Sequence, residues 1–446
     1  MNRLRCKAFL PVAVVLAFAP LAMSQATLPS DFTAARPSIP DRTFSITDYG
    51  AVGGGKTYAT GAIERAIAAC RAAGGGTVDV PPGRFLTAPF VLASNLNLHL
   101  ESGSTILFSD NPADFALNKA QYESCITLKN GHDVAITGSG TIDGCGAQWW
   151  RKFVPPKNSD PFVWEWIPRR PRLIELTRCS RVLVQGVTLT NSPMFHLVPA
   201  QCRDVTIESV RIKAPATSPN TDGIDPSGMN IDIRSCTIDT GDDCVAVKAG
   251  NRYDPNGPSC QNIMVSDCTF LHGHGMSVGS ESGGGLRNML VQNCSFNGTE
   301  AGIRLKSLRG RGGLVEDLTY QNLTMENVKN SILITSYYPR IPINPAQDRA
   351  REIGNRTPIW RHILIRNVTS TNTSIAGQIV GLPEMPVEDV VLTNVSISAK
   401  SPIEIAHARG IKFVNCALWS AAGKPLIVDA MVEGLNEALS RGNSIR

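Results

Sequence analysis

A loose internal repeat constrains the fold of this chain more than any other feature. Its unit is an alternating stretch, a polar or glycine residue, an apolar residue or cysteine, a small polar residue, and another apolar residue. It opens as S-G-T-I around Gly140, then runs as G-V-T-L around Val187, S-V-R-I around Val210, S-C-T-I around Cys236 and D-C-T-F around Cys268. It continues as N-C-S-F around Cys294, N-L-T-M around Leu323, N-V-T-S around Val368, N-V-S-I around Val395 and N-C-A-L around Cys416. Most intervals are 21 to 32 residues; two are much longer, 47 from Gly140 to Val187 and 45 from Leu323 to Val368. The long intervals read as loops that leave the repeat and return. One carries Trp149, Trp150, Trp164 and Trp166, the other the proline-rich stretch from Pro339 to Pro345.

Short alternating runs rich in Val, Ile and Thr, separated by Gly, Asn and Asp, predict strands of period two. No run between them has the length and periodicity of a crossover helix, which argues against a doubly wound sheet or a barrel of alternating strands and helices. A leucine-rich solenoid would need a regular leucine spacing that is absent. What remains is an all-β fold, a parallel β-helix whose coils stack like rungs about 4.8 Å apart. Cys236, Cys268, Cys294 and Cys416 then fall in one interior column. One amphipathic segment, Gly61 to Ala73, puts Ile63, Ala66, Ile67 and Cys70 on one side and stops at glycines 74–76. It predicts a helix that caps the open N-terminal coil.

The first residues set the compartment. Arg3, Arg5 and Lys7 precede an apolar run from Ala8 to Met23, and Ser24 and Ala26 are small residues where a signal peptidase reads, so residues 1–26 predict a cleaved leader. Residues 27–446 would then form a single domain, exported to the periplasm or the medium. Cleavage lowers the formal charge of +5 to about +2, a balance that favours neither nucleic acid nor membrane partners. Of the 12 cysteines, Cys6 leaves with the leader; the odd remainder at repeat positions reads as buried small apolar residues before disulfides.

Against this ladder, polar residues recur at nearly matched offsets. Asp222 follows the Val210 marker by 12 residues, Asp242 and Asp243 follow Cys236 by six and seven, and His274 follows Cys268 by six. Arg304 and Lys306 follow Cys294 by ten and twelve. Taken singly, each has a bland reading. Asn220, Asp222 and Gly223 suit a turn, Asp242 and Asp243 an Asx-turn or half a calcium site, His274 a loop, and Arg304 and Lys306 a solvated strand face. Together they predict one site, because packed carboxylates repel one another unless function or nearby cations hold them.

Paired carboxylates suit glycosidic cleavage: one protonates the leaving oxygen while another activates water. A like-charged neighbour would raise the pKa of the acid and keep it protonated. Calcium-assisted β-elimination is the rival chemistry, with the aspartates as calcium ligands and Arg or Lys as base. His274 tilts the reading towards hydrolysis.

At these residues the sequence resembles the polygalacturonase family of glycoside hydrolases. N-T-D-G at 220–223, G-D-D at 241–243, G-H-G at 273–275 and R-L-K at 304–306, in place of the family's R-I-K, occur in the family's order. Tyr338, in L-I-T-S-Y-Y, matches a further tyrosine, with Tyr337 beside it as the competing match. Upstream, G-S-G-T-I-D-G, P-R-L-I at 171–174 and N-S-P-M-F-H at 191–196 extend the likeness over roughly residues 43 to 420. The resemblance implies a right-handed, single-stranded parallel β-helix with a substrate groove across its side. It implies hydrolysis of α-1,4-linked galacturonate with inversion and no metal or other cofactor. Asp242 would be the general acid, and Asp222 and Asp243 would position and activate the water. His274 would tune the acid or orient the water, while Asn220, Arg304, Lys306 and Tyr338 would bind the sugar. The partner implied is a pectic polysaccharide and the state a monomer. The form of G-H-G-M-S-V-G-S-E at 273–281 leans towards endo action, with exo action, and rhamnogalacturonan or xylogalacturonan as substrate, as alternatives. A non-catalytic polysaccharide-binding β-helix is the reading from another class.

Overall fold

The computed structural model describes residues 28–118, 121–152, 169–250 and 259–439; the predicted leader lies outside them. Apart from a short antiparallel pair, Leu117–Asn118 with Gln121–Tyr122, the strands pair in parallel with counterparts one coil away, and the stack is a right-handed parallel β-helix. Alternation drives the coils: in Gly76–Val80 and Leu96–Leu100 every second residue is buried. Register then places like on like. Val78, Leu98, Ile136, Val184, Ile207, Ile233, Val265 and Val291 form one column, which continues through Tyr320, Ile365, Leu392 and Phe413. A single apolar cluster runs from Ile46 to Cys416 along the axis.

The repeat markers form a second interior column. Strand pairings on either side of each marker put Gly140 through Cys416 one above another, and the register holds across both long intervals. The cysteines in it are buried and form no disulfide, and each thiol donates to a main-chain carbonyl, as from Cys268 to Ser266 O at 3.2 Å. The turns have a ladder too. Asn230, Asn262 and Asn288 sit at φ between 57° and 62°, where asparagine is tolerated better than most residues. Each side-chain amide donates to the preceding coil's side chain, Asn288 to Asn262 and Asn262 to Asn230.

The capping helix spans Thr60–Ala72, with Ala62, Ile63, Ala66, Ile67 and Cys70 turned onto the first coil. It ends where Gly74 takes a φ of 85°. No helix among the described residues is long and apolar enough to cross a membrane.

Two features had no sequence signal. The segment after the predicted leader runs along the outside of the stack: Leu28 and Phe32 pack on Met264 and Leu290, Ser30 O accepts from Gln292, and Ser38 N–H donates to Asp133. The excursion after Tyr337 is also tied down. Arg309 grips Glu384 with Nε at 2.6 Å and Asp348 with Nη1 at 2.8 Å, and His407 Nε2 donates to Pro345 O. Of the tryptophan-rich excursion, residues 153–168 lie outside the description; Trp149 is buried against Phe115 and Tyr122.

Candidate active site

One sheet carries the site. Its strands Val245–Val247, Met276–Gly279 and Ala301–Lys306 align Ala246, Ser277 and Arg304 in one row, and Gly279 and Lys306 in the next. Leu305 points into the core, so Arg304 and Lys306 both stand on the outer face, yet they remain only 8% and 4% exposed. What covers them is the acidic cluster.

The turns preceding these strands stack through the main chain. His196 N–H donates to Asp222 O, Gly223 N–H to Asp243 O, His274 N–H to Asp242 O and Glu300 N–H to Gly273 O. Asp222, the Asp242–Asp243 pair, His274 and Arg304 therefore occupy four successive coils. Gly273 shows why the turn is tight: at φ 93°, a Cβ there would lie 2.4 Å from Asp242 O.

Asp243 is the most heavily held carboxylate. Arg304 Nη1 and Ser277 Oγ reach its Oδ1 at 2.8 and 2.7 Å, and Lys306 Nζ reaches Oδ2 at 2.6 Å. Asp242 Oδ1 accepts the N–H of Asp243, and His274 Nδ1 lies 2.9 Å from the same oxygen, off a good hydrogen-bond direction. Asn220, at φ 51°, donates to Asp242 Oδ2 at 3.3 Å while its Oδ1 accepts from the buried Arg170 at 2.6 Å. His274 Nε2 faces Glu300 at 3.1 Å. The Lys306 ammonium lies 5.1 Å from the Tyr338 ring centre, whereas Tyr337 turns away to Asp348; the tyrosine at the site is Tyr338. All eight residues singled out in the sequence meet in this patch.

The electrostatics separate the acids and correct one expectation. Burial and the neighbouring Asp225 push Asp222 well above the usual carboxylate range, and burial lifts Asp225 to about 6 against the pull of Lys248. Burial acts on Asp242 in the same direction, but His274 and Lys306 outweigh it and bring the carboxyl down to about 2. Asp243 is held low as well, its burial overcome by Lys306 and Arg304. The carboxyl that is raised is thus Asp222 and not Asp242, because Asp242 has a histidine in front of it.

Five residues of the cluster escaped the sequence reading: Arg170, Asp225, Lys248, Ser277 and Glu300. Asp225 lies two residues beyond the N-T-D-G at 220–223, and Lys248 lies one coil beyond Asp222, but neither belongs to a recognisable triplet. Asp242, Asp243 and His274 also bring ligand-type atoms within 4.8 Å of one another. That set fits calcium poorly: one donor is nitrogen, and both oxygens of Asp243 already face cations.

The Glycosyl hydrolases family 28 model matches residues 70–429 of the chain. The chain belongs to that family. This family 28 member is a glycoside hydrolase, which sets aside the non-catalytic binding reading. It is 32% identical over 375 residues to a probable polygalacturonase of Vitis vinifera, covering 79% of this chain and 74% of the relative. It is 31% identical over 371 residues to an endo-polygalacturonase of Pectobacterium parmentieri, covering 78% and 86%. Among solved structures, a hyperthermoactive exopolygalacturonase of Thermotoga maritima matches with a TM-score of 0.75 at 28% identity, over 88% of this chain and 95% of the other.

Proposed function

We propose that this family 28 hydrolase cleaves α-1,4-galacturonosyl linkages in polygalacturonate with inversion, as an exported enzyme acting on pectic polymers. The observation that carries the reading is the Arg304–Lys306 pair, two buried cations on the outer face of a single strand beside three aspartates. Such a pair suits an anionic sugar. Arg304 keeps its Nε without a partner among the described residues, and an ammonium has three donors.

In the proposed mechanism Asp242 donates a proton to the leaving oxygen, and Asp222 and Asp243 hold and deprotonate the attacking water. His274 and Lys306 hold the Asp242 carboxyl down, so substrate binding must raise it before it can serve as the acid. A galacturonate carboxylate on Arg304 and Lys306 would neutralise charges that hold Asp242 down, and the sugar would exclude water from it; both effects raise its pKa. His274, beside Asp242 Oδ1, tunes the acid or orients the water. Asn220 and Tyr338 hold the sugar and the acid in place.

Incubation with polygalacturonate in the presence of a chelator should release reducing ends without unsaturated uronate. Activity that requires calcium and yields the unsaturated product would replace hydrolysis by elimination. A ladder of oligomers in the first minutes identifies endo action, the form favoured here on the 273–281 motif, and monomer or dimer from the start identifies exo action.

A further inference from the structure

Asp222 differs from Asp243 in how its charge is met. Lys248, the residue after strand Val245–Val247, follows the row of Gly279 and Lys306. Its ammonium donates to Asp222 Oδ2 at 3.2 Å and lies 2.8 Å from Asp225 Oδ2. The Asp222 and Asp225 side chains are 4% and 1% exposed, so two buried carboxylates share one cation. Asp222 Oδ1 has no protein partner among the described residues. The Phe195 ring lies 4.2 Å beneath the ammonium and closes its apolar side. A buried carboxylate left with half of a counter-ion would protonate or turn away, so the arrangement controls both where Asp222 points and whether it is charged.

We infer that Lys248 and Asp225 are positioning residues for the reaction: the Lys248 ammonium anchors Asp222 Oδ2 and leaves Oδ1 to the water, while Asp225 competes for the same ammonium. The two pull in opposite directions. Lys248 favours the charged Asp222 and Asp225 disfavours it; the other charges facing the trio are Asp242, Asp243, Glu281, Arg170 and Arg172. The inference rests on the proposed role of Asp222 as a base, which must be ionised to work.

The test is the pH profile of kcat/KM on polygalacturonate for the wild type, Lys248→Met, Lys248→Arg and Asp225→Asn, each checked for a cooperative unfolding transition. Lys248→Met should move the acidic limb up by about one pH unit or more, and Asp225→Asn should move it down, as expected for charges at this range. Lys248→Arg should restore most of the wild-type limb. If Lys248→Met fails to fold, the Asp225→Asn shift and the Lys248→Arg profile still decide. Limbs that stay in place, or that move in the same direction in both charge-removing variants, would reduce the trio to a structural contact. Movement of the alkaline limb instead would overturn the anchoring of a base. An inactive wild type would refute the proposed function and leave this trio a separate matter, to be read from titration of Asp222 in the same variants.

Discussion

Asp242→Asn tests the proposed proton donor most directly. The amide is nearly isosteric, and its Oδ1 can still accept the N–H of Asp243, now at 2.8 Å. It loses its charge partner His274, 2.9 Å away. The stability at stake follows from the depressed carboxyl, which falls from 3.8 to about 2 on folding. That depression corresponds to about 2 kcal/mol, present above pH ~4 and lost as pH falls towards ~2. The side chain is 20% exposed, so water screens part of it and the figure is an upper bound. The variant should therefore fold at neutral pH. Turnover should drop by about 10²–10⁴-fold, or about 3–5 kcal/mol of barrier, the usual worth of general acid catalysis. Reducing-end assays on polygalacturonate measure it. The same variant should lose far less on an aryl galacturonide, whose leaving group departs without a proton. Wild-type turnover on the polymer, or equal losses on both substrates, would refute the assignment.

His196 is fully buried, donates from Nδ1 to Asp222 O and accepts Ser192 N–H at Nε2, so it is neutral; burial takes it from 6.5 to about 4. A base harder to protonate when folded supports the fold above pH ~6.5 and loses that support as pH falls towards ~4, about 3 kcal/mol in all. Urea midpoints between those pH values should fall more steeply for the wild type than for His196→Gln. At the cap, Ile63→Ala should cost about 2–5 kcal/mol in chemical unfolding, since the side chain is fully buried between helix and first coil. In the cysteine column, Cys268→Val should cost less than about 1.5 kcal/mol, because valine fills the same column at 210 and 368, while Cys268→Asp should cost more than about 3. Melting with and without reductant should coincide, as no disulfide joins the described cysteines.

The repeat was legible because a solenoid writes its core as a list: each marker residue is the vertical neighbour of the next, so spacing in sequence becomes stacking in space. The capping helix was legible through its own period. The site was legible where its residues come as adjacent triplets, as in G-D-D and R-L-K. Lys248 and Asp225 were not, since an isolated lysine after V-A-V looks like any strand end and only lateral contact across a coil reveals its partners. The raised carboxyl was misjudged for the same reason. Sequence order shows that Asp242 has an acidic neighbour, but not that His274 on the next coil faces its Oδ1 at 2.9 Å. The N-terminal segment along the stack and the Arg309 clasp join residues far apart in the chain and leave no periodic trace.

The unbroken register of the marker column imposes a graduated scale on the chemistry. Along the axis, groups on different coils can be separated only by whole steps of about 4.8 Å, so Asp222, Asp243, His274 and Arg304 are set one step apart like marks on a rule. No substitution can slide one of them by half a step. Finer adjustment is available only across the axis, through side-chain length and the shape of the turns. That is where a long arginine and a long lysine reach back over two coils to Asp243, and where a change of substrate would have to be written.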